Sequence, residues 1–182
     1  MNHRKMRRSI IAAHCLLAAG LAVMLTDALG ITDVRPIIVN PTDSMPRGFY
    51  IRTFQVPARG TIVFLPLPPV MHDYMTIVSP DWAAWFDRPG HGLLKPVVAV
   101  AGDDICRLPP GDVFTAAGVS IGPAATTGLT GVALPSWQGC RRLQDGEIAV
   151  GSSRVEDSLD SRYTGAADAS KARTYSPIWT WE

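Results

Sequence analysis

The sequence predicts a mainly β domain with a short helical insertion, preceded by one N-terminal transmembrane helix or signal segment. Fifteen prolines and sixteen glycines are spread through the 182 residues, a pattern that interrupts long helices and favours short strands joined by turns. Apolar runs such as Thr61 to Leu65 and Glu147 to Gly151 are strand-sized and bounded by turn residues. Only one apolar stretch, near the N-terminus, is much longer. With 47% hydrophobic and 18% charged residues the chain is globular in composition, and its length suits one domain with a real core.

The long stretch runs from Ser9 to Leu25 without a formal charge unless His14 is protonated. Arg4, Lys5, Arg7 and Arg8 precede it and Asp27 follows. It reaches the minimum length for a spanning helix, and the basic flank holds the N-terminus in the cytoplasm, so the rest of the chain lies on the far side. A cleaved signal is the competing reading, because Ala28-Leu29-Gly30 is a passable small-x-small site. Both readings divide the chain into residues 1–30, a basic tail with an anchor or signal peptide, and residues 31–182, an exported domain. The net charge of +1 conceals the basic tail, whose four cations leave 13 basic against 16 acidic residues in the remainder. A slightly acidic body excludes the basic face needed to neutralise nucleic-acid phosphates.

Within the exported part, Ile37 to Asn40 leads into a turn containing Pro41, Pro46 and Gly48, and Gly48 to Thr53 leaves it as a strand. Thr61 to Leu65 forms a buried strand after Ala58-Arg59-Gly60. Residues 66–92 are a proline-bounded insertion of one or two short helices or a surface flap. Lys95 to Val100 forms the next strand, where Pro96 removes a ladder donor and argues for a sheet edge or a bulge. Short strands and hairpins follow from Asp104 to Gly122, residues 122–139 are loop, Glu147 to Gly151 is a strand, Ser152 to Gly165 a polar turn, and Ser176 to Trp181 closes the chain. Cys15 falls in the apolar segment, so Cys106 and Cys140 are the two cysteines of the exported part. Oxidation is permitted there, and a disulfide between them is expected, with two buried thiols as the alternative. His3, His14, His72 and His91 are scattered, so no metal site is expected. No other cofactor is implied. His72-Asp73 lacks a nucleophile elbow and makes a poor triad.

The chemistry centres on Ser44 and Lys95. A serine hydroxyl is a weak nucleophile near neutral pH and needs a base, which a lysine supplies when an apolar pocket lowers its pKa. Lys95 lies in the run Leu93-Leu94-Lys95-Pro96-Val97-Val98. Taken singly, each feature has a bland reading: Ser44 as a turn residue, Lys95 with its amine snorkelling to solvent, Asp160 with Arg162 as a surface pair.

Three blocks occur in order: Pro41-Thr42-Asp43-Ser44-Met45-Pro46-Arg47-Gly48, then Leu94-Lys95-Pro96-Val97-Val98-Ala99-Val100-Ala101-Gly102-Asp103, then Asp145-Gly146-Glu147 through Asp157-Ser158-Leu159-Asp160-Ser161-Arg162-Tyr163-Thr164-Gly165. Together they resemble the signal peptidase I superfamily of serine peptidases. Ser-Met-Pro-x-Gly is more similar to the TraF-type branch of conjugative transfer than to the housekeeping enzymes, whose box is more often Ser-Met-x-Pro. The turn Gly151-Ser152-Ser153-Arg154 departs from the housekeeping Gly-Asp-Asn-Arg in the same direction. Pro96 stands where the family commonly has a basic residue.

The resemblance implies a signal-peptidase-like β domain with a Ser/Lys dyad. Ser44 is then the nucleophile and Lys95 the base, with the Ser44 N–H and the Thr42 hydroxyl forming the oxyanion hole. Ser158 orients the lysine, and Asp160 with Arg162 supports the site. The implied activity is endoproteolysis of exported precursors after small residues, most specifically maturation of a pilin by cleavage or cyclisation. The enzyme would sit in the inner membrane, in contact with its lipid, with the catalytic domain in the periplasm. A general type I signal peptidase and a non-catalytic anchored scaffold of a secretion or conjugation channel are the alternatives. Trp82, Trp85, Phe86, Trp179 and Trp181 either form an interfacial apolar surface or fill the core.

Overall fold

The computed structural model describes residues 3–28, 35–88, 90–109, 112–128 and 130–181, with side chains of the first helix described at 10–22 and 25. The chain forms two compact units, Met1–Pro36 and Ile37–Glu182. In the first, helix α1 (His3–Ala28) covers the apolar stretch read from the sequence. Among the described residues no helix is long and apolar enough to cross a membrane. Leu29 and Gly30 of the small-x-small site lie outside the described residues.

The second unit is mainly β. Its elements are β1 (Ile37–Asn40), β2 (Arg47–Arg52), β3 (Ile62–Leu65), α2 (Pro69–Val78), α3 (Pro80–Phe86), β4 (Leu93–Val100), β5 (Asp104–Leu108), β6 (Val113–Ala116), β7 (Val119–Pro123), β8 (Gly139–Arg142), β9 (Glu147–Val150), α4 (Ser161–Thr164), β10 (Ala167–Asp168) and β11 (Arg173–Trp181). Seven strands form one antiparallel sheet in the order β1-β2-β11-β3-β4-β9-β10, and four form a second in the order β7-β6-β5-β8. Ala99 and Ala149 from the large sheet and Ile105, Phe114 and Ala116 from the small one share a single buried cluster, so the two sheets are joined by apolar burial.

β2 alternates as a half-buried strand should, with Tyr50 fully buried between exposed Phe49 and Ile51. Its Gly48 has a packing reason: a Cβ there would lie 2.3 Å from the Trp179 carbonyl oxygen of β11. The closing strand, read from the sequence as Ser176 to Trp181, begins at Arg173 and runs between β2 and β3 rather than along an edge. The insertion resolves into two helices, each opening on a proline at its first position, where a missing N–H does no harm. Met71 and Tyr74 of α2 pack with Ala124 and Tyr163.

β4 departs from the edge-strand expectation. It lies between β3 and β9, and the irregularity predicted near Pro96 is a register shift between Val97 and Ala99 on the β9 side. β9 pairs with β4 only from Val97 onward, whereas β3 pairs along Leu93 to Pro96. The Lys95 half of β4 is therefore laddered on one side by β3 alone. β8 was not legible as a strand. It depends on pairing with β5, where Cys106 faces Cys140.

Candidate active site

The turn between β1 and β2 carries Ser44, and Asn40 organises it. Asn40 is buried, and its Nδ2 donates to the carbonyl oxygens of Thr42 at 2.9 Å, Met45 at 3.1 Å and Pro46 at 3.1 Å. Its Oδ1 accepts from the Thr42 hydroxyl at 2.8 Å and the Thr42 N–H at 3.3 Å. Sequence reasoning passed over this residue, although asparagine next to proline at a turn is a signal for side-chain closure of the backbone. Met45 plugs into the cluster of Tyr50, Phe64, Leu94 and Tyr175, which fixes the turn against β3, β4 and β11. Ser44 is only 8% exposed. Among the described residues its N–H donates to no protein acceptor.

Thr42 Oγ1 lies 3.4 Å from Ser44 Oγ. Because the same Thr42 hydroxyl donates to Asn40, it can supply an oxyanion donor only by rotating away from Asn40.

Lys95 is 4% exposed on β4. Burial pulls its pKa down to about 8, Asp160 and Asp157 work against that pull, and Arg162 adds to it. A lysine in that state is partly neutral near physiological pH and can accept a proton.

Contacts through the loop after β9 link the serine turn to the lysine strand. Gly151 N–H donates to the Pro96 carbonyl, next to Lys95, at 3.1 Å. The adjacent Ser152 hydroxyl donates to the Ser44 carbonyl, and Ser152 N–H donates to Asp160 Oδ2 at 3.0 Å. Asp160 is the largest charge acting on Lys95. Two neighbouring residues of one loop thus touch the backbone of Ser44 and that of Pro96, the residue after Lys95.

Asp160 and Arg162 form a fully buried pair, with Arg162 Nε donating to Asp160 Oδ1 at 2.9 Å. The reading of such a pair as a surface ion pair does not apply here. Arg162 also donates to the carbonyls of Ser152 at 2.5 Å, Glu156 at 2.9 Å and Pro123 at 3.1 Å, so it clamps the 152–156 loop to the small sheet. From that sheet the buried Arg107 returns a bond to the Arg162 carbonyl at 3.1 Å. Ser158 Oγ is buried without a hydrogen-bond partner among the described residues. An orphaned buried hydroxyl carries a free-energy cost, and this one lies in the loop whose Asp157 and Asp160 act on Lys95.

Cys106 and Cys140 are joined as a disulfide across β5 and β8 of the small sheet, with a Cα–Cα distance of 4.1 Å. The aromatic residues fall into separate groups. On the exposed side of β2 and β11, Phe49 stacks on Trp179 and Trp181 lies tilted against both, while Trp82, Trp85 and Phe86 cluster on α3 with His91 against Trp85. Trp179 is 64% exposed and Trp82 52%, so neither fills the core. His72 pairs with Asp87 at 2.9 Å rather than with Asp73.

Residues 9–179 match the family described as signal peptidase, peptidase S26. That span is nearly the whole chain, and the protein belongs to this family. It is a serine peptidase that processes exported precursor proteins. No curated protein matches the chain.

Proposed function

We propose that the protein is a membrane-anchored endopeptidase in which Ser44 and Lys95 form a Ser/Lys dyad, and that its substrate is a pilin exported for conjugative transfer. The observation that carries the dyad is the burial of Lys95, with its pKa drawn to about 8, on a strand tied through Gly151 and Ser152 to the Ser44 turn. Ser44 Oγ bonds to the scissile carbonyl carbon as its proton passes to Lys95 Nζ. The tetrahedral intermediate then expels the amine, which takes that proton, and leaves an ester on Ser44. Water, losing a proton to Lys95, attacks the ester, and Lys95 passes that proton to the departing Ser44 Oγ, which gives cleavage and restores the dyad; attack by a peptide amine in place of water, with the same proton transfer, gives a ligated or cyclic product. The Ser44 N–H and a rotated Thr42 hydroxyl stabilise the oxyanion, and the Ser158 hydroxyl, which bonds neither Lys95 nor any other described residue, is available to turn to the amine and orient it.

The apolar stretch Ser9 to Leu25 and its basic flank support an inner-membrane anchor with the catalytic domain in the periplasm. Ser44-Met45-Pro46-Arg47-Gly48 and the Ser152-Ser153 turn support the conjugative branch. The test is coexpression with a candidate pilin and mass spectrometry of the product. Wild type should yield a shortened or cyclised pilin, and Ser44→Ala and Lys95→Ala should leave it intact; processing at full rate by either variant sinks the dyad. A second reading, a general signal peptidase, is favoured by the breadth of the family match. In that case deletion of the gene kills the cell instead of blocking conjugation alone.

A further inference from the structure

The loop after β9 grips two consecutive carbonyls of the nucleophile turn. The Ser152 hydroxyl donates to the Ser44 carbonyl, and Arg154 Nε donates to the Asp43 carbonyl at 3.3 Å. In a planar trans peptide the C=O of one residue and the N–H of the next point in opposite directions. Holding the Asp43 carbonyl therefore aims the Ser44 N–H the other way, and holding the Ser44 carbonyl fixes the following plane.

Ser152 is built for this work. It is 2% exposed, its N–H donates to Asp160 at 3.0 Å, its carbonyl accepts from Arg162 at 2.5 Å, and its hydroxyl accepts from the Arg154 N–H at 3.2 Å. The buried Asp160–Arg162 pair thus fixes Ser152, and Ser152 with Arg154 fixes the turn. A serine hydroxyl suits the position because it donates to the Ser44 carbonyl and accepts from Arg154 at once.

We propose that Ser152 and Arg154 are positioning residues that orient the Ser44 peptide planes, and so aim the oxyanion-stabilising N–H of the nucleophile. The inference rests on the assignment of Ser44 as nucleophile and deepens it. Neither residue touches substrate; both act through the backbone of the turn.

The test uses the full chain in detergent, an internally quenched peptide cleaved after Ala-x-Ala, and an Ala-x-Ala peptide aldehyde. The aldehyde forms a hemiacetal on Ser44 whose oxygen occupies the oxyanion position. Ser152→Ala should lower kcat on the order of 100-fold, the scale of a misplaced reacting group, with KM within about twofold. Aldehyde affinity should fall in parallel with kcat/KM, since transition-state analogues report transition-state binding. The acid limb of the pH profile, set by Lys95, should stay where wild type has it. Arg154→Ala should lose roughly tenfold in kcat and Arg154→Lys should recover most of it, because a lysine still offers a donor. Exposed Ser153 gives the control, with Ser153→Ala unchanged.

If Ser152→Ala does not fold, the comparison of Arg154→Ala with Arg154→Lys decides alone. Wild-type kcat in both alanine variants, or a loss of kcat with aldehyde affinity intact, overturns the inference. Ser44→Ala separates the two assignments: if it retains turnover, the nucleophile reading falls and this inference with it, whereas an inert Ser44→Ala beside fully active Ser152→Ala and Arg154→Ala removes only the positioning role.

Discussion

The two sheets of the Ile37–Glu182 unit treat charge in opposite ways. Around the large sheet, Lys95, Asp160 and Arg162 are buried, and the pair Asp160–Arg162 is 0% and 1% exposed. In the small sheet, Arg142 and Asp104 pair across β8 and β5 at 3.1 Å while 71% and 53% exposed, and a disulfide staples the same two strands. Buried charges are expensive to desolvate and are destabilising when one partner is lost, whereas exposed pairs contribute little. The large sheet thus carries ionisable groups suited to chemistry and held by hydrogen bonds. The small sheet carries charges that chiefly face water, and a covalent bond does the holding. Arg107 is the exception that links them, since it is buried in the small sheet and reaches the Arg162 carbonyl.

The contrast breaks most sharply at the proposed dyad. Ser44→Ala and Lys95→Ala should each lower kcat/KM by about 10,000-fold or more in peptide turnover, while Lys95→Met should unfold at or above the wild-type denaturant midpoint, because it removes a buried amine. A Lys95→Met enzyme that cleaves normally would erase the distinction between the sheets. Next in size is the buried pair: Arg162→Ala should cost about 3 to 5 kcal/mol in equilibrium unfolding, the scale for an orphaned buried charge. Replacing Cys106 and Cys140 together with serine should cost roughly 3 to 4 kcal/mol for a sequence separation of 34 residues, measured by the same unfolding.

Lys95 also predicts a pH dependence. Its pKa is about 8 in the folded protein against an ordinary 10.5, so between those values the unfolded chain binds a proton that the folded one lacks. Stability should therefore rise as pH climbs from about 8 to 10.5, by up to about 3 kcal/mol, and Lys95→Met should abolish that rise. Over the same titration kcat/KM should increase through about pH 8 as the ammonium loses its proton; a flat profile removes the neutral-lysine base. The smallest effect belongs to the exposed pair, where Arg142→Ala should shift stability by less than about 1 kcal/mol.

Several elements were legible because their signals are local. The turn at Pro41 to Gly48, the compact runs of β3 and β9, and the proline-headed helices of the insertion all carry their own punctuation. Lys95 stood out because its sequence neighbours are apolar. Asn40 had a local signal that was passed over. Ser152 and Arg154 lie in a turn that was legible, but their contacts were not, and Arg107 had no local signal: Ser152 meets the Ser44 carbonyl 108 residues away, and Arg107 meets Arg162 55 residues away. Pro96 signals a sheet edge or a bulge, and the choice between them is likewise tertiary: β4 is an inner strand with an irregular register. Pro96 announces a missing donor, but the strand's neighbours, β3 and β9, are chosen by sheet order.

By itself the sequence determined the β character of the unit, the turn that presents Ser44 and the apolar run around Lys95, because these depend on residues within a few positions of one another. Tertiary structure alone decided that Asp160 and Arg162 are buried, that Lys95 loses enough water to shift its titration, and that the loop after β9 closes on the serine turn. Those properties arise from desolvation and from contacts between distant segments, which exist only once the sheets have packed.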